Sequence, residues 1–212
     1  MTKTRQPLPR LIIVSSGLEH CAEPGLALRQ ASALALSGPV MYQLREKELT
    51  ARHLYTLAAE MKSILSTSGS MLLMNERLDI ALASGSDGVH LPESSCPADS
   101  IRRKSPGLLF GQSVHSLATA LQAEKAGVEY LLFGPVFATP SKERYGPPQG
   151  LDALETLCRS VTIPVYAVGG IMPERACACI EKGAYGIAAL GAFLDTRSLP
   201  ATVNHFRSFI PS

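Results

Sequence analysis

The sequence has little of what most specialised protein classes need. It has no tryptophan, only 6% of its residues are aromatic, and charged residues make up 18%. Its 20 lysines and arginines face 18 aspartates and glutamates, a formal net charge of +2 with the two signs interspersed. That balance excludes the basic stripe with which nucleic-acid binders neutralise phosphates, so no nucleic-acid partner is expected. No apolar run reaches the roughly 18 residues of a membrane-spanning helix, so no membrane partner is expected either. The five cysteines, Cys21, Cys96, Cys158, Cys177 and Cys179, are odd in number and form no C-x-x-C pair. That argues for a reducing, cytoplasmic location and against a structural zinc site.

What the 212 residues do contain is 46% hydrophobic material, enough for one sizeable core. Eight short, β-leaning apolar runs punctuate the chain: LIIV at 11–14, VMYQL at 40–44, MLLM at 71–74, GVHL at 88–91, LLFGQSV at 108–114, YLLFGPVF at 130–137, IPVYAVGG at 163–170 and GIAALGAF at 186–193. Continuous rather than alternating hydrophobicity marks strands buried on both faces, which belong in a parallel sheet. Helical stripes lie between the runs, as with Leu54, Leu57, Ala58, Met61, Ile64 and Leu65, or Leu117, Ala120, Leu121 and Ala123 behind a Ser116 cap. Gly38, Gly85, Gly127 and Gly183 close several helices, and Pro173 suits a first helical turn. The runs recur about every 25 residues, the length of a compact βα unit. Eight such units predict a single-domain (β/α)8 TIM barrel over residues 11–212, preceded by an N-terminal extension at 1–10. The rival, an open doubly wound sheet, lacks a G-x-G-x-x-G after its first strand.

Active sites of such barrels lie at the strand C-termini, which limits the search to eight loops. Gly169 and Gly170 after strand seven, with Gly191 after strand eight, have the makings of a phosphate cup, because unobstructed backbone N–H groups can aim at an anion. The competing reading is a tight turn. Thr139, Ser141 and Lys142 put hydroxyls and an ammonium in a Gly/Pro-rich loop suited to closing on a second anion, against the alternative of an ordinary solvated loop. Gln43, Arg45 and Lys47 alternate and share one face of an extended strand end, with Leu44 and Glu46 pointing outward to helix and solvent. Such an amide and two cations suit a pyrophosphate, whereas a plain charged strand exit would form surface ion pairs. His90 and His115 are the histidines near strand ends and are candidate general bases or hydrogen-bonding residues. Glu76 and Glu93 are candidate Mg²⁺ ligands.

Taken in order, Q-L-R-E-K, N-E-R-L-D-I-A-L, D-G-V-H-L, G-Q-S-V-H-S, G-P-V-F-A-T-P-S-K, I-P-V-Y-A-V-G-G-I and G-I-A-A-L-G-A-F resemble the landmarks of the thiamine phosphate synthase and TenI family across residues 11–195. The resemblance implies small phosphorylated substrates, with hydroxymethylpyrimidine pyrophosphate joined to a thiazole phosphate as pyrophosphate leaves. Carried over, Gln43, Arg45, Lys47, Asn75, Ser113, Thr139, Ser141 and Lys142 would hold the pyrimidine pyrophosphate, with Arg45, Lys47, Ser113 and Lys142 as the catalytic set. Gly170 would hold the thiazole phosphate. Mg²⁺ is implied for a synthase. Two departures qualify that set: Glu76 stands where the synthase pattern has aspartate, and His90-Leu91-Pro92-Glu93-Ser94-Ser95 replaces its H-x-G-Q-x-D loop. The H-L-P form is similar to the TenI branch, whose thiazole tautomerisation needs no metal, yet Pro135 occupies the place of the TenI histidine. A non-catalytic thiazole-phosphate binder is the third alternative. Monomer and homo-oligomer are both left open.

Overall fold

The computed structural model describes residues 7–139 and 147–210. Eight strands alternate with eight helices: β1 Leu11–Val14, α1 Leu26–Leu34, β2 Met41–Leu44, α2 Ala51–Ser66, β3 Met71–Asn75, α3 Leu78–Ser84, β4 Gly88–Leu91, α4 Ala98–Arg102, β5 Leu109–Val114, α5 Leu117–Lys125, β6 Tyr130–Phe133, α6 Gly150–Ser160, β7 Val165–Val168, α7 Pro173–Glu181, β8 Gly186–Ala189 and α8 Leu199–Phe209. The strands pair in parallel in sequence order and β8 returns to β1, closing the expected (β/α)8 barrel. The eight apolar runs each contain one strand, because a strand covered by helices outside and packed side chains inside has no polar face.

Alternation along each strand divides the core in two. Ile12, Val14, Met41, Leu73, Leu109, Tyr130, Leu132, Tyr166 and Ala188 fill the barrel interior. The larger cluster, including Ile13, Tyr42, Leu44, Leu72, Met74, Phe110 and Phe133, packs against the helices. Full burial of one such leucine or phenylalanine contributes about 1.5–3 kcal/mol relative to leaving it exposed. The interior takes two bulky rings only because strands opposite them carry glycine: a Cβ on Gly111 would stand 1.9 Å from the Tyr130 ring, and one on Gly186 would stand 2.7 Å from that of Tyr166. Leu8, Pro9 and Arg10 close the opposite end of the barrel. The Tyr185 and Tyr166 hydroxyls donate to the Leu8 and Pro9 carbonyls, and Ile187 N–H donates to that of Arg10.

The helices follow their sequence signals with one exception. Ser116 caps α5 in a reciprocal capping box with Thr119, and Pro173 opens α7. Gly85, Gly127 and Gly183 take left-handed conformations at or just after helix ends. On α5, however, Leu117 and Leu121 are 38% and 44% exposed, and only Ala120 and Ala123 are buried. The neighbouring α4 is a single short turn of five residues and leaves that flank of α5 uncovered.

Candidate active site

At the C-terminal ends of β2 to β5, residues from four strands join into one polar cluster. The Gln43 amide donates from Nε2 to Asn75 Oδ1 at 2.9 Å, and Asn75 Nδ2 donates to the Glu76 carboxylate at 2.9 Å. A carboxylate can only accept, so it fixes the orientation of both amides in the chain. Gln43 Oε1 is then left buried without a partner, although the residue is only 3% exposed. An acceptor kept from water and unpaired is costly unless a ligand supplies a donor. Lys47 Nζ completes the group at 3.5 Å from Glu76, an exposed pair of small energetic weight. Glu76 sits at φ 62, a left-handed conformation that glycine, asparagine and aspartate occupy more readily. Its strained turn is held by Glu76 N–H donating to the His90 carbonyl and by Arg77 N–H donating to that of Asn75.

His90 is 1% exposed, with Nδ1 3.0 Å from the Tyr130 hydroxyl and Nε2 2.8 Å from Ser113 Oγ. Burial, aided by the nearby Arg45 charge, pushes its pKa down to about 3, so the ring is neutral in ordinary buffers. It is therefore a hydrogen-bonding residue and poorly suited to collect a proton. His115 behaves differently: it is exposed, its Nδ1 lies 2.6 Å from Glu93 Oε2, and Thr119 reaches the same oxygen at 3.4 Å. Glu93 and His115 thus meet as a pair rather than acting as separate candidates. No three His, Cys, Asp or Glu side chains gather into a metal-holding group among the described residues.

Glu46 departs from its expected solvated position. It is 4% exposed, and its carboxylate accepts from the Gly17 and Glu19 amides at 2.9 and 3.1 Å, pinning the loop after β1. The reason is tertiary: that loop folds over the end of β2, where Ser15 Oγ also accepts from Arg45 N–H at 2.8 Å.

Across the mouth, Gly169 and Gly170 have φ values of 96 and 65. Side chains there are excluded by the loop after β6: a Cβ would stand 2.5 Å from the Pro135 Cβ at Gly169 and 2.5 Å from the Ala138 carbonyl at Gly170. Phe137 N–H donates to the Gly169 carbonyl, while Arg175 donates to that of Gly170 at 2.7 Å and stacks on Phe137. The two glycines therefore dock the β6 loop. Gly191 begins a short 3-10 helix, Gly191–Phe193, and nothing lies within 4 Å of where its Cβ would be. In the β6 loop Thr139 is the last residue described before Pro147; Ser141 and Lys142 lie outside the described residues.

Sequence reasoning did not single out Tyr130, Ser15 or Arg175. Tyr130 was hidden inside an apolar strand run, and only the glycine opposite it at 111 hinted at a large inward side chain. Ser15 meets the backbone of Arg45, 30 residues away, and Arg175 meets that of Gly170 in the loop before its own helix; neither contact leaves a signature in the sequence.

A closed (β/α)8 barrel with polar side chains and glycine-bearing turns gathered at its mouth is an architecture shared by many enzymes that handle phosphorylated small molecules. Residues 12–193 match the family described as thiamine monophosphate synthase, and the chain belongs to it. It is 39% identical over 198 residues to the thiamine-phosphate synthase of Methanocella arvoryzae, covering 93% of this chain and 90% of that protein. With the thiamine-phosphate synthase of Methanoculleus marisnigri it shares 37% identity over 181 residues, or 85% and 86% of the two chains. The solved structure of thiamine phosphate pyrophosphorylase from Pyrococcus furiosus superposes with a TM-score of 0.80 at 27% identity, covering 94% of each chain. No helix among the described residues is long and apolar enough to cross a membrane.

Proposed function

We propose that this chain is a thiamine-phosphate synthase, joining hydroxymethylpyrimidine pyrophosphate to a thiazole phosphate with release of pyrophosphate. The observation that carries the reading is the unpartnered, buried Oε1 of Gln43 beside Arg45 and Lys47. It calls for a ligand with an N–H donor, of the kind an amino-substituted pyrimidine offers, joined to an anionic group that the two cations can meet.

The chemistry follows from that placement. The bond between the pyrimidine methylene carbon and the pyrophosphate oxygen breaks, and both electrons leave with pyrophosphate. Arg45 and Lys47, with Lys142, stabilise the charge that develops there. The remaining pyrimidine methylene cation is captured by the thiazole nitrogen lone pair, forming the new C–N bond. Val14, Leu132 and Val168, near the ends of β1, β6 and β7, present apolar surface that keeps water from competing for the cation. Gly170 and Gly191 leave backbone room for the thiazole phosphate.

The family implies magnesium, and the residues present do not fit an ion held by two protein carboxylates. Among the described residues Glu76 is the single carboxylate in the Gln43 cluster, Ser95 stands in the place of the second, and Glu93 is taken by His115. Any Mg²⁺ would depend on Glu76 and on oxygens of the pyrophosphate itself. Positive charge among the described residues of the site comes from Arg45 and Lys47.

A second reading, TenI-type tautomerisation of a thiazole carboxylate phosphate, draws on the His115–Glu93 pair, since a carboxylate on Nδ1 leaves Nε2 available as a base. We place the reaction in the cytoplasm, where the free cysteines stay reduced. Pyrophosphate release from the two substrates, measured with and without Mg²⁺, tests the synthase reading. Isomerisation of the carboxylated thiazole without pyrophosphate release would favour the second.

A further inference from the structure

Tyr130 belongs to none of the loops that form the mouth. It rises from β6 into the barrel interior, is 0% exposed, and lies against the gap left by Gly111 on β5. Its hydroxyl is 3.0 Å from His90 Nδ1, and the other ring nitrogen, Nε2, is 2.8 Å from Ser113 Oγ. Three groups thus stand in series from the core to the mouth.

A neutral imidazole carries one N–H and one lone pair, so the series has two proton orders. In one, Tyr130 donates to Nδ1, and Nε2–H donates to Ser113 Oγ. In the other, Nδ1–H donates to Tyr130, and Ser113 donates inward to Nε2. The second order strands the tyrosine proton, because its hydroxyl is fully buried and has no other hydrogen-bond partner among the described residues. Buried donors are rarely left unpaired, whereas the first order leaves only a spare oxygen lone pair on Tyr130. A doubly protonated ring would not evade the choice, since its Nδ1–H would also face Tyr130 and strand the same proton.

We infer that Tyr130 is a positioning residue: it donates to His90 Nδ1, fixes His90 as the Nε2–H tautomer, and so leaves the Ser113 hydroxyl proton as a donor presented to the substrate. The atom it meets is a lone-pair acceptor, a pyrophosphate oxygen or a ring nitrogen. Identifying that acceptor with the pyrimidine pyrophosphate rests on the synthase reading, while the tautomer does not.

The test has two arms on the full chain. In protein labelled with ¹⁵N-histidine, the His90 signals, identified by their absence from His90→Asn, are expected to show a protonated Nε2 and a bare Nδ1 at neutral pH. A protonated Nδ1 would overturn the inference. In the second arm, Tyr130→Phe and Ser113→Ala are each expected to weaken binding of hydroxymethylpyrimidine pyrophosphate by about three- to tenfold, with the double variant no weaker than Ser113→Ala alone. Tyr130→Phe should also lose the fixed tautomer while still unfolding cooperatively. Additive losses, or an unchanged tautomer in Tyr130→Phe, would assign Tyr130 a packing role only. If the unaltered protein does not bind the pyrimidine pyrophosphate, the synthase reading fails, and the tautomer arm still decides the inference.

Discussion

Replacing Gly111 by alanine adds one methyl group at the most crowded point of the barrel interior, and its consequence follows from the packing. The new Cβ would stand 1.9, 2.1 and 2.4 Å from three atoms of the Tyr130 ring, far inside van der Waals contact. The ring has no free space to retreat into: Tyr166 packs edge-on at 5.4 Å between centroids, and Tyr130 is fully buried. Overpacking of this kind costs about 1–3 kcal/mol. Displacing the ring also strains the 3.0 Å bond to His90, which adds about 1 kcal/mol. The expected loss is about 2–4 kcal/mol, a sizeable part of the roughly 5–15 kcal/mol that holds a domain folded. In a chain of this size it lowers the melting temperature by about 4–16 °C. Thermal unfolding followed by circular dichroism measures it, with Gly191→Ala as the control because nothing surrounds that position. A Gly111→Ala melting point within a degree of the unaltered protein would refute the account of the interior.

Three further outcomes are expected. Because His90 is held near a pKa of about 3 against 6.5 in the unfolded chain, the unfolded state binds a proton that the folded state refuses. Stability is unaffected above pH 6.5 and falls by about 1.4 kcal/mol per unit as pH drops from there towards 3; melting curves at pH 7 and 4.5 should show a decline that His90→Asn reduces. Gly170→Val meets both a left-handed backbone and the Ala138 carbonyl, so titration with thiazole phosphate should show binding reduced at least tenfold. Lys142→Ala should abolish pyrophosphate release in a steady-state assay while leaving the melting temperature unchanged.

The barrel was legible because its signal is local. Each strand is buried on both faces and reads as an unbroken apolar run, and α2 carries its stripe in consecutive turns, with Leu54, Ala58, Met61 and Leu65 buried. The same reasoning failed on α5, where periodicity marks which residues share a face but not whether a neighbour covers it. At the mouth, Gln43 joins Asn75, Glu76 and Lys47, and His90 meets Ser113, through contacts between adjacent βα units. The burial of Glu46 and the meeting of Glu93 with His115 depend on how loops from different βα units fold over one another. The Tyr130–His90–Ser113 series likewise spans 40 residues of sequence and becomes visible only when the barrel closes.

The central claim is that the mouth binds a pyrimidine pyrophosphate and a thiazole phosphate together and expels pyrophosphate between them. Quantifying pyrophosphate released by the purified protein supplied with both substrates, with either one alone, and with or without Mg²⁺ tests it most directly. Release that requires both substrates is expected. Retained thiazole phosphate binding without any pyrophosphate release, at every metal concentration, would contradict it.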